Sequence, residues 1–285
     1  MTLELKSALL ALIILLFIPP YAVASPFFFA QSPEKKMTNV YIGFDHALKS
    51  GKFYDSSRAL INDPNQGEFF YYQFFLSAER GVGANTSLSL LLSVTHNEVI
   101  GAHYEKDNDF KHTIPYGFLL SAKHIFAKEE HLAAGVNGRL NLPYTFDRDP
   151  APFRWGDGRA AAGGDIFAAL IHPAYLAEAR IGATLIDEKP TSVANFALRG
   201  RYFPIPKQLF LDLLIDGEES LSQSKEGENP FEDTVAEQSF LNAALSLGIY
   251  ILPLETLVDI HFKHSIVGRH YPYTRELGAT LGFVF

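Results

Sequence analysis

The residues best suited to covalent chemistry in this chain are His261, His264 and Ser265, which crowd into one short stretch. A nucleophilic serine needs a base within hydrogen-bond reach of its hydroxyl. On a regular strand His264 and Ser265 point to opposite faces, while His261 and Ser265 share a face but stand about 13 Å apart. A dyad would need a bulge in the strand or a base from elsewhere, for instance His96 or His112. Histidines in a hydrated rim are the simpler reading, with hydrolysis as the alternative.

A larger set of polar residues recurs with period two. On 207–217, Leu209, Leu211, Leu213 and Ile215 oppose Gln208, Asp212 and Asp216; on 254–266, Val258, Ile260 and Phe262 oppose Asp259, His261 and Lys263. On 176–187, Ala177, Ala179 and Ile181 oppose Glu178, Arg180 and Thr184; on 192–203, Phe196, Leu198 and Tyr202 oppose Asn195, Arg199 and Arg201. With Glu276 from the last segment, the expected polar lining is Glu178, Arg180, Arg199, Arg201, Asp212, Asp259, His261, Lys263 and Glu276. Both signs are present in near balance. Such groups must be paired or hydrated once withdrawn from bulk water. They either interlock and plug a narrow interior, or line a wet path that screens solutes by charge.

Neither a metal nor a cofactor is indicated. Asp147, Asp149 and Asp157 alternate with Arg148, Arg154 and Arg159 and lack the spacing of a calcium loop. Glu218, Glu219, Glu226, Glu228, Glu232 and Asp233 read as an acidic, solvated connection over 218–236. With no cysteine, the chain offers no disulfide framework and no thiol chemistry. A formal net charge of −8 without a basic cluster argues against a nucleic-acid partner.

The elements that must carry these residues are strands. Alternation marks about twelve, over 37–47, 67–80, 86–103, 114–127, 131–142, 163–173, 176–187, 192–203, 207–217, 237–251, 254–266 and 273–285. Connections near 81–85, 128–130, 174–175, 204–206 and 252–253 are short, whereas 48–66, 104–113, 143–162 and 218–236 are long. The strand at 163–173 shows no polar face among its alternating Phe and Ala residues, which leaves its register open. Phe69 to Tyr72, Tyr271 and Tyr273 suit an aromatic girdle. At the N-terminus Lys6, the apolar run Ala8–Ile18 and Ala22-Val23-Ala24 read as a cleaved signal peptide over 1–24. A short segment over 25–36 and a single domain over 37–285 follow.

The last eleven residues decide among all-β architectures. Leu277, Ala279, Leu281, Phe283 and Phe285 form one face, backed by Glu276, Gly278, Thr280 and Gly282. This resembles the closing strand of a bacterial outer-membrane β-barrel, where the resemblance makes Leu281, Phe283 and Phe285 a signal for the barrel assembly machinery. The expected fold is therefore all-β, a transmembrane antiparallel barrel of about twelve strands after a cleaved signal peptide. Its partners would be outer-membrane lipid, lipopolysaccharide and a small solute.

A looser resemblance covers about residues 165–285. Gly182, Leu198-Arg199-Gly200-Arg201-Tyr202 with Pro204, Leu211-Asp212-Leu213-Leu214 and Ser265-Ile266-Val267-Gly268-Arg269-His270 are similar to the outer-membrane proteins of the phenol-degradation meta-pathway. That resemblance implies passage of small hydrophobic compounds and carries over no catalytic residue. The leading expectation is passive transport or binding of small solutes. The alternatives are a rim hydrolase acting on lipid or lipid A and a structural barrel plugged by its own ion pairs.

Overall fold

The computed structural model describes residues 33–54, 57–62, 68–100, 109–143, 160–186, 191–205, 208–221, 239–251, 256–269 and 271–285. The expected signal segment 1–24, Asp147, Asp149 and Asp157, and Glu226, Glu228, Glu232 and Asp233 lie outside the described residues.

The strands are β1 (Thr38–Ser50), β2 (Lys52–Tyr54), β3 (Leu60–Asn62), β4 (Glu68–Gly81), β5 (Thr86–Ile100), β6 (Asp109–Lys128), β7 (Leu132–Leu142) and β8 (Ala161–His172). They continue as β9 (Tyr175–Ile186), β10 (Thr191–Ile205), β11 (Leu209–Ser220), β12 (Ser239–Ile251), β13 (Thr256–Arg269), β14 (Tyr271–Pro272) and β15 (Arg275–Val284). Twelve of them close into one antiparallel barrel in the order β1-β15-β13-β12-β11-β10-β9-β8-β7-β6-β5-β4. Closure joins the two ends of the described chain. Thr38 N donates to Phe285 O at 2.8 Å and Phe285 N donates to Thr38 O at 2.9 Å.

The expected strands coincide with barrel strands to within a few residues. Alternation then sorts the faces. Leu198, Leu211, Leu213, Leu245, Ile260, Leu277 and Leu281 are exposed on the outside. Phe126, Tyr175, Tyr202 and Phe285 sit near the short-turn ends of their strands, Tyr72 and Phe196 nearer the opposite ends, and Phe118 and Phe262 near mid-strand, all exposed. An apolar outer face with aromatics toward both ends is the exterior of a membrane-spanning barrel. Its first and last strands pair with each other, so the closed wall leaves no unpaired edge facing hydrocarbon.

Two local readings change. The open register of β8 is set by Asp165, which lies inside with Phe167 and Ala169 while Ile166, Ala168 and Leu170 face out. Phe167 fits inward because Gly135 opposite it has no side chain to collide with. The segment 48–66, read as a plain loop, instead carries β2 and β3, which join β14 in a separate three-stranded sheet above the barrel rim. Tyr271 accordingly leaves the expected girdle and is buried against Phe240 of β12, and Tyr71 turns inward while Tyr72 faces out.

If this exterior meets lipid, Ile260→Arg at mid-strand should cost about 2–4 kcal/mol of folding free energy, read from urea titrations in lipid bilayers. An unchanged midpoint would place that face elsewhere. Deleting Phe285 removes two closing hydrogen bonds, and should lower the yield of heat-modifiable, folded barrel in the membrane fraction.

Candidate functional site

The interior is layered. Near the short-turn ends of β6 to β8, β11 and β13 it is apolar, with Ile125, Ala133, Phe167 and Ala169 clustered and Phe210 and Leu257 fully buried, whereas Glu79 and Ser87 bring polar groups to the short-turn end of β4 and β5. Beyond it, polar inward positions alternate with apolar ones such as Tyr71, Phe75, Val193 and Ala197.

On β10, Arg199 and Arg201 are two residues apart and so share the inner face, where β11 places Asp212 directly opposite Arg201. Arg199 donates to Asp212 Oδ2 from Nε at 3.2 Å and from Nη2 at 2.5 Å. Arg201 donates to Oδ1 from Nε at 2.8 Å and to Oδ2 from Nη2 at 2.7 Å. One carboxylate thus holds two guanidinium forks, a charge-assisted arrangement of high geometric specificity. The Arg201 guanidinium also lies 3.7 Å over the Phe210 ring. These groups are withdrawn from bulk solvent, with Arg201 2% and Asp212 3% exposed.

A second cluster spans β13, β15 and β1. His261, Gly278 and Asp45 stand in one row across the three strands. Gly278 in the middle leaves room for the histidine to reach past it, since a Cβ there would overlap both the Asp45 carboxylate and the His261 ring. His261 Nε2 lies 2.6 Å from Asp45 Oδ1, and Nδ1 lies 3.2 Å from Asp259 Oδ1. Both ring nitrogens face carboxylate oxygens, an arrangement suited to a doubly protonated ring. One step further out, Lys263 and Glu276 are register partners and both are buried.

The opposite wall carries groups outside the expected set. Lys123 pairs with Glu79 at 2.8 Å, and Ser87 donates to the same carboxylate at 2.6 Å. Asp165 is met by Arg139 at 3.3 Å and accepts from Asn195 at 2.6 Å. Each of these ion pairs joins strands that are adjacent or next but one around the wall. Asp165 hides in the sequence between two glycines and an Ala/Phe alternation, and Asp45 among aromatics. Neither segment shows a run of alternating charge, and only the register reveals the partners.

All nine expected lining residues lie on the inner face, Arg180 half-buried and the other eight buried. Asn242, Asp216 Oδ1, Asp259 Oδ2 and Thr280 Oγ1 are buried there without a hydrogen-bond partner among the described residues.

The histidine and serine cluster is not assembled. Ile266 forms a bulge in β13, between the pairs Leu241↔Val267 and Asn242↔Ser265, yet it does not turn His264 toward Ser265. The Ser265 hydroxyl is fully buried, 2.7 Å from Thr274 Oγ1, and accepts from Thr274 N at 3.2 Å. His264 packs instead against Tyr273 and Phe262. His96 stacks on Tyr72 at the outer surface, and the side chain of His112 on β6 lies outside the described residues. Above the rim, burial pushes the phenol group of Tyr54 up.

Over 93% of this chain and all of the other, the barrel superposes on an outer-membrane channel from Pseudomonas putida F1 with a TM-score of 0.70 at 11% identity. The fold is that of an outer-membrane β-barrel. The NanC porin matches over 85% of this chain and 98% of its own, with a TM-score of 0.51 at 9% identity. No family model and no curated protein sequence matches the chain.

Two substitutions probe the interior. Asp212→Asn leaves two buried guanidinium groups sharing a neutral amide, and should destabilise the barrel by about 3–5 kcal/mol. Gly278→Ala should displace His261 from Asp45, and the histidine ring NMR signals should shift with it. Stability equal to the parent in Asp212→Asn would show that the arginines are held by other groups.

Proposed function

We propose that this barrel is a passive outer-membrane pathway for small solutes, with the inward charges as its selector. The observation that carries the reading is the direction of the ion pairs. Arg199 and Arg201 with Asp212, His261 with Asp45, Lys123 with Glu79 and Arg139 with Asp165 are paired along the wall. Side chains tied to their own or a nearby strand are drawn back against the wall, which supports a lined path over a plug of cross-lumen bridges. A barrel of twelve strands also lies between the filled eight-stranded barrels and the open sixteen-stranded porins.

The expected roles of the remaining groups belong to this proposal. Glu178, Arg180, Asp259, Lys263 and Glu276 line the path with the arginine and histidine clusters. Leu281, Phe283 and Phe285 serve the barrel assembly machinery, and lipopolysaccharide surrounds the outer aromatic ring. The meta-pathway resemblance of the second half adds small hydrophobic compounds to the solutes worth screening. A nucleophilic role for Ser265 finds no support in its environment, where Thr274 occupies the hydroxyl.

Planar-bilayer recordings of the refolded protein in several salts test the reading. The expected result is discrete, ion-selective steps. Arg199→Gln and Arg201→Gln should shift the reversal potential toward cation preference, because each removes a fixed positive charge from the path. Silence from a demonstrably folded barrel would favour the plugged alternative, and unchanged selectivity would take both arginines out of the path.

A further inference from the structure

The exterior of the barrel is not uniform around its circumference. From β7 to β12 the outward positions carry no Lys or Arg among the described residues, and their one histidine, His172, sits at a short turn. The arc of β13, β15, β1, β4 and β5 differs. It turns His264, Arg275, His46 and His96 outward, on the same sides of their strands as Phe262, Leu277, Phe44 and Leu88. His264 faces Arg275 in the register, Leu277 two residues further on faces His46, and Tyr72 stands between His46 and His96.

The basic groups of this arc are not equally engaged. Lys49 on β1 pairs with Glu68, and His96 Nε2 lies 3.8 Å from Glu98 Oε2. Arg275 is exposed and has no carboxylate partner among the described residues. Its guanidinium lies 5.9 Å over the Tyr273 ring, and His264 meets the same ring edge-on with centroids 5.2 Å apart. One aromatic ring therefore positions two nitrogen donors at the surface of the wall.

The height of the pair on the wall identifies what it meets. Arg275 lies ten residues from Phe285 along one face of the closing strand. At strand rise and the usual tilt, that separation climbs about 25 Å, the height of the apolar band. Phe285 marks the short-turn boundary, so Arg275 stands at the opposite one, where the longer connections face the cell exterior. A guanidinium there reaches lipid headgroups, and its planar fork matches a phosphate bidentately. The lipids of the outer leaflet carry such phosphates on lipid A.

We infer that the outward face of β13, β15 and β1 is a docking site for a phosphate of lipid A, held by Arg275 with His264 beside it. Tyr273 sets the two donors, and His46 and Tyr72 flank them on the next strands. The inference deepens the lipid contact named in the proposed function and rests on the outer-membrane placement of the barrel. It is independent of passage, so a barrel that never conducts leaves it standing.

The refolded full-length chain in detergent micelles is titrated with bisphosphorylated lipid A, and the bound fraction is read by native mass spectrometry. Each variant is first scored as a heat-modifiable, folded barrel. Arg275→Gln should weaken binding about five-fold, the factor that one cation at a charged lipid surface supports. Arg275→Lys keeps the charge and should retain most of the binding. His264→Phe keeps the ring packing, removes a donor and should weaken binding in the same direction. Arg80→Gln takes away an exposed cation at the short-turn end and should bind like the parent. Lipid A stripped of its phosphates should bind the parent weakly and show no dependence on residue 275. Parent-like binding by both Arg275→Gln and His264→Phe would overturn the site, as would an equal loss in Arg80→Gln. Phosphatidylglycerol bound as tightly as lipid A, with the same dependence on Arg275, would overturn the assignment to lipid A.

Discussion

In hydrocarbon no solvent satisfies a backbone amide, so each N–H and C=O of a spanning segment needs a partner within the protein. The pairing of β1 with β15 meets that demand at the seam, down to Thr38 and Phe285. Most of the remaining architecture is a consequence. Once the wall is closed, strand alternation leaves two environments and no third. The outer one must be apolar, and it collects Leu, Ile and the aromatic rings. The inner one is cut off from lipid and becomes the only place within the wall where charge is tolerated.

Within that interior, charge is organised by register rather than by distance along the chain. Asp45 and His261 are separated by most of the sequence, but β15 sets them in one row with only Gly278 between them. The glycine is a packing requirement, because any side chain there would occupy the space of the bridge. Gly248 plays the corresponding part opposite Phe210, whose ring in turn supports Arg201. A position without a side chain on one strand thus allows a long reach from its neighbour. In a low-dielectric setting the loss of one partner is costly, since the other charge is left buried and unpaired.

This division explains what could be read from the sequence. Period-two alternation is a local property, so the strands, the outward Leu and Ile rows and the inward position of Arg199, Asp212 and Lys263 were legible from β9 onward. Partners are a non-local property. Nothing near Asp212 in the chain indicates that two arginines share it, and nothing near Asp45 points to His261. Alternation also fails where both faces are small or aromatic, as in β8, where Asp165 alone sets the sense. The sheet of β2, β3 and β14 escaped because its strands are two or three residues long, too short for a period to register. The serine and histidine cluster was disfavoured by spacing, and the bulge on which a dyad depended exists. It falls at Ile266 and presents the carbonyls of Ser265 and Ile266 to Tyr54 rather than turning His264 inward.

The two ends of the barrel are closed by different physics. At the short-turn end the interior narrows through apolar side chains, Phe210, Leu257 and Ile125, packed where turns of a few residues leave the strands little freedom. At the other end the long connections are free to form structure of their own, and one of them does, by adding strands to the tip of the β13–β15 hairpin. An apolar layer resists charged solutes at all ionic strengths, because its barrier is the loss of hydration.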